Sequence, residues 1–338
     1  MKMLTLTLFL ASTSLAAPLS FQNAWQNTLQ QNPDLQNARS DLQNALNDWN
    51  IRQQDPTALA ADLLAAEQAF TLAKVNLKAS ELQVQQSLLN SYTQLLEAQK
   101  NLEVMKAQVE LSRTKLNIQR AKQQLKNATA LDVDNAEQSL QSDQQNLESL
   151  QSNIPIYSLQ LSKLFGQNLS DLEAQPLPAP VAFTVNLDDL KQGLEGQLSS
   201  VVQASQNVRS AELQLALSNN DYTPQSTLQD ARSTLDARKR SLENTLKSAF
   251  NTLTDTHQKQ QELWKKVQLQ QKALGNSRET LKQTEARFKN GQVAKVEVLQ
   301  SQVNVLNSEL GLLQAQNNFH KGLLSLGAAA GNDVGGPR

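Results

Sequence analysis

The residues best placed to do chemistry sit beside two chain reversals. Lys126 opens the stretch KNATA at 126–130, and Asp132 and Asp134 follow it; Arg287 and Lys289 precede NGQ at 290–292, and Glu297 stands where Asp132 does in the first stretch. Cations suit the last turn of a helix and carboxylates the first turn of the next, so helix ends alone account for these charges. If several copies closed into a tube, the same carboxylates would make a ring that selects cations. Other chemistry has little material. The two histidines, His257 and His320, each stand alone without the i, i+4 partner of a metal pair, which makes them ordinary helix residues in this reading. With no cysteine there is neither a thiolate site nor a disulfide. No nucleophile stands beside a base in a recognisable motif, and the glycine-rich end lacks a phosphate-loop lysine. Asn127-Ala128-Thr129 and Asn168-Leu169-Ser170 match glycosylation acceptors in spelling only. No catalytic residue, metal or cofactor is therefore expected.

Composition narrows the class. Thirty-one basic and 32 acidic residues interleave to a net charge of −1, with no basic stripe for nucleic acid. Aromatic residues make up 4% of a chain rich in Gln, Asn, Leu, Ala and Ser, which fits long thin helices better than a globular core. Lys2, an apolar run over 3–11 and the small residues Ser14 and Ala16 read as a secretory leader cleaved before Ala17. The apolar run is too short to span a bilayer, which takes about 20 residues.

The elements that position the two turns follow from periodicity. Glycine does not occur in 17–165, and beyond Pro18 the prolines there are Pro33, Pro56 and Pro155, so nearly all of it can be helix. Apolar residues recur at heptad spacing at Leu63, Phe70, Leu77 and Val84, then after a four-residue shift at Leu88, Leu95, Leu102, Val109 and Leu116. About 165 positions on, the pattern returns as Leu228, Leu235, Leu242, Ala249, Leu253, Gln260, Val267, Leu274 and Leu281, with Gln260 alone not apolar. Val133, Leu140, Leu147, Ile154 and Leu161 likewise return as Val298, Val305, Leu312, Phe319 and Leu326.

Each copy therefore predicts a helix (20–52; 187–219), a break (53–56; 219–224), a long helix to about Lys126 or Lys289, a turn, and a final helix. The final helices end near Gly166 and Gly327, and Pro155 is expected to kink or split the first of them. The resulting division is a leader over 1–16, a first helical repeat over 17–166, a proline-rich linker over 167–186, a second repeat over 187–327 and a flexible tail over 328–338. The fold class is all-α: two long antiparallel coiled-coil hairpins. Seams on three helices per copy imply packing on more than one side, as an elongated bundle or a closed tube.

Three segments carry a resemblance to a known family: AWQNTLQQNPDLQNARSDLQNA at 24–45, LKNATALDVDNAEQSL at 125–140 and RFKNGQVAKVEVLQSQVNVLNSELGLLQAQNNFHKGLLSLG at 287–327. Together with the two-copy order they resemble the TolC-type outer-membrane efflux proteins, most specifically in Arg-Phe-x-x-Gly followed by an acidic residue and Val-Leu. The resemblance implies an exported homotrimer in the periplasm or cell envelope whose helices line a tube. Its tip would meet a periplasmic adaptor and an inner-membrane pump, in efflux or type I secretion-like export. The matching tip positions are Lys126, Asn127, Ala128, Thr129 and Asp132 in the first copy and Asn290, Gly291, Gln292, Val293 and Glu297 in the second.

Two departures stand out. Family members carry paired membrane strands where this chain has only the breaks at Pro56 and Pro224, too short for strands of about 9–11 residues. No autonomous membrane insertion is expected, and attachment to the outer membrane would go through a partner. The first turn also reads Asn127-Ala128-Thr129 where the family has a Val-Gly-Leu-like turn. The expectation is thus an α-barrel subunit without transmembrane strands, acting as a passive duct. A structural envelope spacer, or a coiled coil that occupies adaptors without conducting, are the alternatives.

Overall fold

A computed structural model describes residues 17–337; the leader expected over 1–16 lies outside the described residues. Strand β1 (Ala17–Leu19) precedes α1 (Phe21–Gln31), α2 (Pro33–Gln54), α3 (Ala60–Gln124) and α4 (Ala130–Lys163). Strand β2 (Leu172–Ala174) leads to α5 (Leu187–Gln197), α6 (Ser199–Ser218), α7 (Gln225–Lys289) and α8 (Lys295–Ala330). The long helices α3 and α7 each contain 65 residues, which makes them about 100 Å long. Their starts and those of α4 and α8 keep the spacing of the sequence repeat.

The first helix of each copy is in fact two. In copy one the cause is local: Asn32 is extended, its Oδ1 accepts from the N–H groups of Asp34 (3.0 Å) and Leu35 (3.2 Å), and Pro33 occupies the first helical position. In copy two the break falls at Leu198, which is extended and offers no side-chain cap. Here the cause is tertiary. Leu194 and Val201, on either side of the break, share a core cluster with Leu253 of α7 and Leu326 and Ala330 of α8.

The helices pack side by side as a wall. In one half α2 and α6 fold back on α3 and α7; in the other the order is α4, α3, α8, α7. The copies meet where α3 packs on α8 and, nearer the breaks, on α6. Lys100 Nζ lies 2.9 Å from Glu309 and Arg209 2.9 Å from Glu67, while Gln68 and Gln206 each donate to the other's backbone carbonyl. The seam residues Leu88, Leu95, Leu253, Val267, Phe319 and Leu326 are all buried, as the heptads predict. Gln260 is buried too; its Nε2 donates to the Phe319 carbonyl (3.1 Å), which accounts for an amide in the seam. The chain exposes 20531 Å², against about 13,700 Å² for a compact monomer of its mass.

Two further expectations need correction. Pro155 does not split α4, which continues to Lys163; Gln151, whose carbonyl loses its helical donor, is exposed so that water can serve it. The last helix does not stop at Gly327: α8 reaches Ala330, Gly331 closes it with φ 70°, and Pro337 in the tail is buried. The all-α fold carries one small sheet. β1 and β2 pair in parallel, with Ala17 opposite Leu172 and Leu19 opposite Ala174. The linker after β2 is extended, as its prolines predict, but it is packed down: Leu177 lies on the α1–α3 core and Phe183 on the cores around α7.

Candidate functional site

Both turns are built the same way. At the end of α3 the N–H of Lys126 donates to the Gln123 carbonyl (2.9 Å) and that of Asn127 to Lys122 (2.8 Å). At the end of α7 Gly291 donates to Phe288 (2.9 Å) and Gln292 to Arg287 (2.9 Å). This paired closure requires a left-handed residue after the helix. The second copy supplies glycine, Gly291, at φ 70°; the first supplies Lys126 at φ 60°, the one non-glycine residue with positive φ among those described. That geometry costs a side-chain-bearing residue about 1–2 kcal/mol. Lys126→Gly is therefore expected to raise stability by about 0.5–1 kcal/mol, and Gly291→Ala to lower it by about 1 kcal/mol, since no neighbour lies within 4 Å of its added Cβ. Chemical denaturation of the two variants checks the opposite signs.

The helices that leave the turns differ. Thr129 caps α4: its Oγ1 accepts from Asp132 N–H (3.2 Å), and the Asp132 carboxylate accepts from Thr129 N–H (2.8 Å). These hydrogen bonds from Thr129 hold the Asp132 carboxyl below its ordinary 3.8. The contribution of this cap is present above that value and lost as pH falls through the lowered one. Amide exchange in the first turn of α4 should accelerate only in strong acid. The second copy has Ala294 at the cap with no side-chain bond, so Glu297 is not engaged in the same way.

The ten positions expected at the tip thus divide between two turns. Lys115 Nζ donates to Gln300 Oε1 (3.0 Å), which ties the last turns of α3 to the first turns of α8 and sets both turns at one end of the wall. Lys126, Asn127, Thr129, Asp132, Asn290, Gly291, Gln292 and Glu297 are exposed, while Ala128 and Val293 are half-buried. Sequence reasoning missed the apolar part of this surface: Leu125 (72% exposed), Leu131 (66%) and Phe288 (43%) stand out beside the turns. Their lack of heptad partners was the available signal. An end that mixes charges, amides and bare apolar side chains can hold a protein surface. Among the described residues no group of three or more His, Cys, Asp or Glu could hold a metal, and no helix is long and apolar enough to cross a membrane.

The opposite end carries the two short breaks. Each break is a tight turn made by an acceptor side chain: Thr57 N–H donates to Asp55 Oδ1 (2.8 Å) and Tyr222 N–H to Asn220 Oδ1 (2.9 Å). Five residues join α2 to α3 and six join α6 to α7, with no strand.

Paired hairpins on two 65-residue helices, repeated along the chain, define the class: this is the fold of TolC-type outer-membrane efflux channels, with no barrel strand among the described residues. Among solved structures it is similar to the CmeC outer membrane channel of Campylobacter jejuni, with TM-score 0.67 and 13% identity over 92% of this chain and 85% of that one. It is also similar to the outer membrane protein VceC of Vibrio cholerae, with TM-score 0.64 and 17% identity over 93% and 97%. For the open state of the MtrE outer membrane channel of Neisseria gonorrhoeae the values are 0.54 and 13%, over 93% and 89%. At these identities the likeness is one of fold. No protein-family model and no curated protein sequence matches the chain.

Proposed function

We propose that this chain is the subunit of a passive duct in the cell envelope, serving an efflux or type I secretion-like export system. It assembles as a homotrimer and turns the 125–132 and 288–297 end toward a periplasmic adaptor, behind which an inner-membrane pump supplies the energy. One observation carries this reading: the helices form a wall with two free edges. Along one edge α4 packs chiefly on α3, and along the other α7 packs chiefly on α8 beyond its contact with α6, with many of its residues exposed. Unlike edges associate head to tail, and such contacts close into a ring or run on as a filament. Ring closure would bury part of the surface that this elongated chain exposes. Fold likeness to outer membrane channels supports the ring, and the number three is what the resemblance to the TolC-type family implies.

The strandless breaks favour a second reading, in which the same wall spaces envelope layers and carries no solute. Light scattering coupled to size exclusion, without detergent and over a concentration series, separates the two. A concentration-independent mass three times that of the chain supports the duct and leads to imaging of its lumen. A persistent monomer removes self-closure and leaves the spacer in front.

A further inference from the structure

The two histidines of this chain do the same thing. His257 on α7 and His320 on α8 both point Nε2 at a backbone carbonyl of the extended strap over 175–186: Val185 O at 2.9 Å and Pro178 O at 3.0 Å. A carbonyl can only accept, so in both rings the hydrogen sits on Nε2. Both imidazoles are buried, His320 to 5% and His257 to 7% exposure. Phe183 of the strap packs its ring 5.1 Å from that of His257, and Phe319 lies 5.9 Å from His320. Nδ1 of His320 is buried without a partner.

We propose that the 175–186 strap is an acid-released latch, held across α7 and α8 by the Nε2–H donors of His257 and His320 and let go when His320 takes a second proton. The added hydrogen has nowhere to go in the closed state, because Nδ1 is buried and faces no acceptor. The titratable groups on the packed elements are elsewhere. Asp255, Lys259 and Glu262 of α7, Asp188 and Asp189 of α5 and Glu173 of β2 are exposed. Half-buried Glu97 of α3 accepts from Asn317 Nδ2 (2.8 Å), and Lys321 beside His320 is half-buried as well. None of them is bonded to either imidazole.

Burial holds the His320 pKa below its ordinary 6.5, with the Pro178 bond opposing in the lesser degree. An opened strap returns the ring to water and to the ordinary value. The closed state is therefore fully favoured above about pH 6.5 and loses ground as pH falls from there through the lowered value. The strap joins β2, which pairs with β1 of the first repeat, to the cores of the second, so its release frees the repeats from one of their ties.

The test is amide exchange of the 175–186 segment in the full chain at pH 7.5 and pH 5, corrected for intrinsic rates. Protection should fall at least tenfold in acid. It should stay unchanged in His257→Gln/His320→Gln, whose amides keep an N–H donor but do not titrate. Equal protection at both pH values in the unaltered chain, or the same fall in the double variant, overturns the latch. A second measurement needs no variant. With two histidines in the chain, imidazole nitrogen resonances report each ring separately; His320 should remain the Nε2–H tautomer until the pH at which the strap opens. A His320 that charges while the strap stays protected also overturns it.

Discussion

Gly331→Ala is expected to destabilise the protein by about 2–4 kcal/mol and to loosen the junction between α5 and α6. Two effects add at this one position. Its φ is 70°, which costs any residue with a Cβ about 1–2 kcal/mol. The added Cβ would also lie 2.4 Å from the Gln197 carbonyl oxygen, 2.6 Å from its carbon and 3.0 Å from Leu198 N. All three are backbone atoms, and no rotamer change moves them aside. Relief requires the end of α8 to lift from the extended residue Leu198, where α5 gives way to α6. Two neighbours serve as controls. Gly335 has φ 97° but open space around it, so Gly335→Ala should show the conformational cost alone, about 1 kcal/mol. Gly196 lies inside α5 with nothing within 4 Å, so Gly196→Ala should be neutral or stabilising by up to about 1 kcal/mol. Denaturant midpoints in that order support a packed chain end; equal effects of Gly331→Ala and Gly335→Ala would show that the end is not seated on α5.

Tyr92→Ala is expected to cost about 3–5 kcal/mol and to release the N-terminal strand. Tyr92 is wholly buried in α3, with Phe21 edge-on at 5.4 Å. Its hydroxyl lies 2.7 Å from both the Leu19 and the Gln175 carbonyl oxygens, so one phenol hydrogen serves the ends of β1 and β2 together. Gln99 completes the clamp, donating Nε2–H to the Leu172 carbonyl (2.8 Å) and accepting from Ala174 N–H (3.0 Å). Tyr92→Phe keeps the ring and loses only the hydroxyl, for about 1–2 kcal/mol. Burial pushes the phenol pKa well above its ordinary 10, so the clamp is at full strength below pH 10 and is lost as pH rises beyond it. Limited proteolysis should cut near residues 17–20 in Tyr92→Ala and spare them in Tyr92→Phe. Cutting in both, or in neither, would show that the strands are held by something other than this ring.

Each part of the molecule was legible in the sequence to the degree that its cause is local. A heptad seam is a one-dimensional pattern: Leu88, Leu95, Leu253 and Phe319 each declare burial by their distance from the next apolar residue, and the structure buries them all. The spacing between repeats fixed α3 against α7 and α4 against α8, and Gly291 marked one turn outright. The Asn32 break was also legible, since Asn-Pro opens a helix by side chain and ring alone. By contrast, Lys126 carries no sign of its left-handed backbone; its place is forced by the closure that Gly291 performs in the other copy.

The remainder depends on atoms far apart in the chain. Two long hairpins, their seams and the location of both turns follow from the order of residues, because helix periodicity and end chemistry act within a few residues. Tertiary structure alone decided that Leu198 breaks a helix, that residues 17–19 and 172–174 pair, and that the linker is a strap. Tyr92 reaches partners 73 and 83 positions away, and His320 one that is 142 away. Hydrogen bonds of that span leave no period in a sequence, and they form only after the helices have brought their ends together.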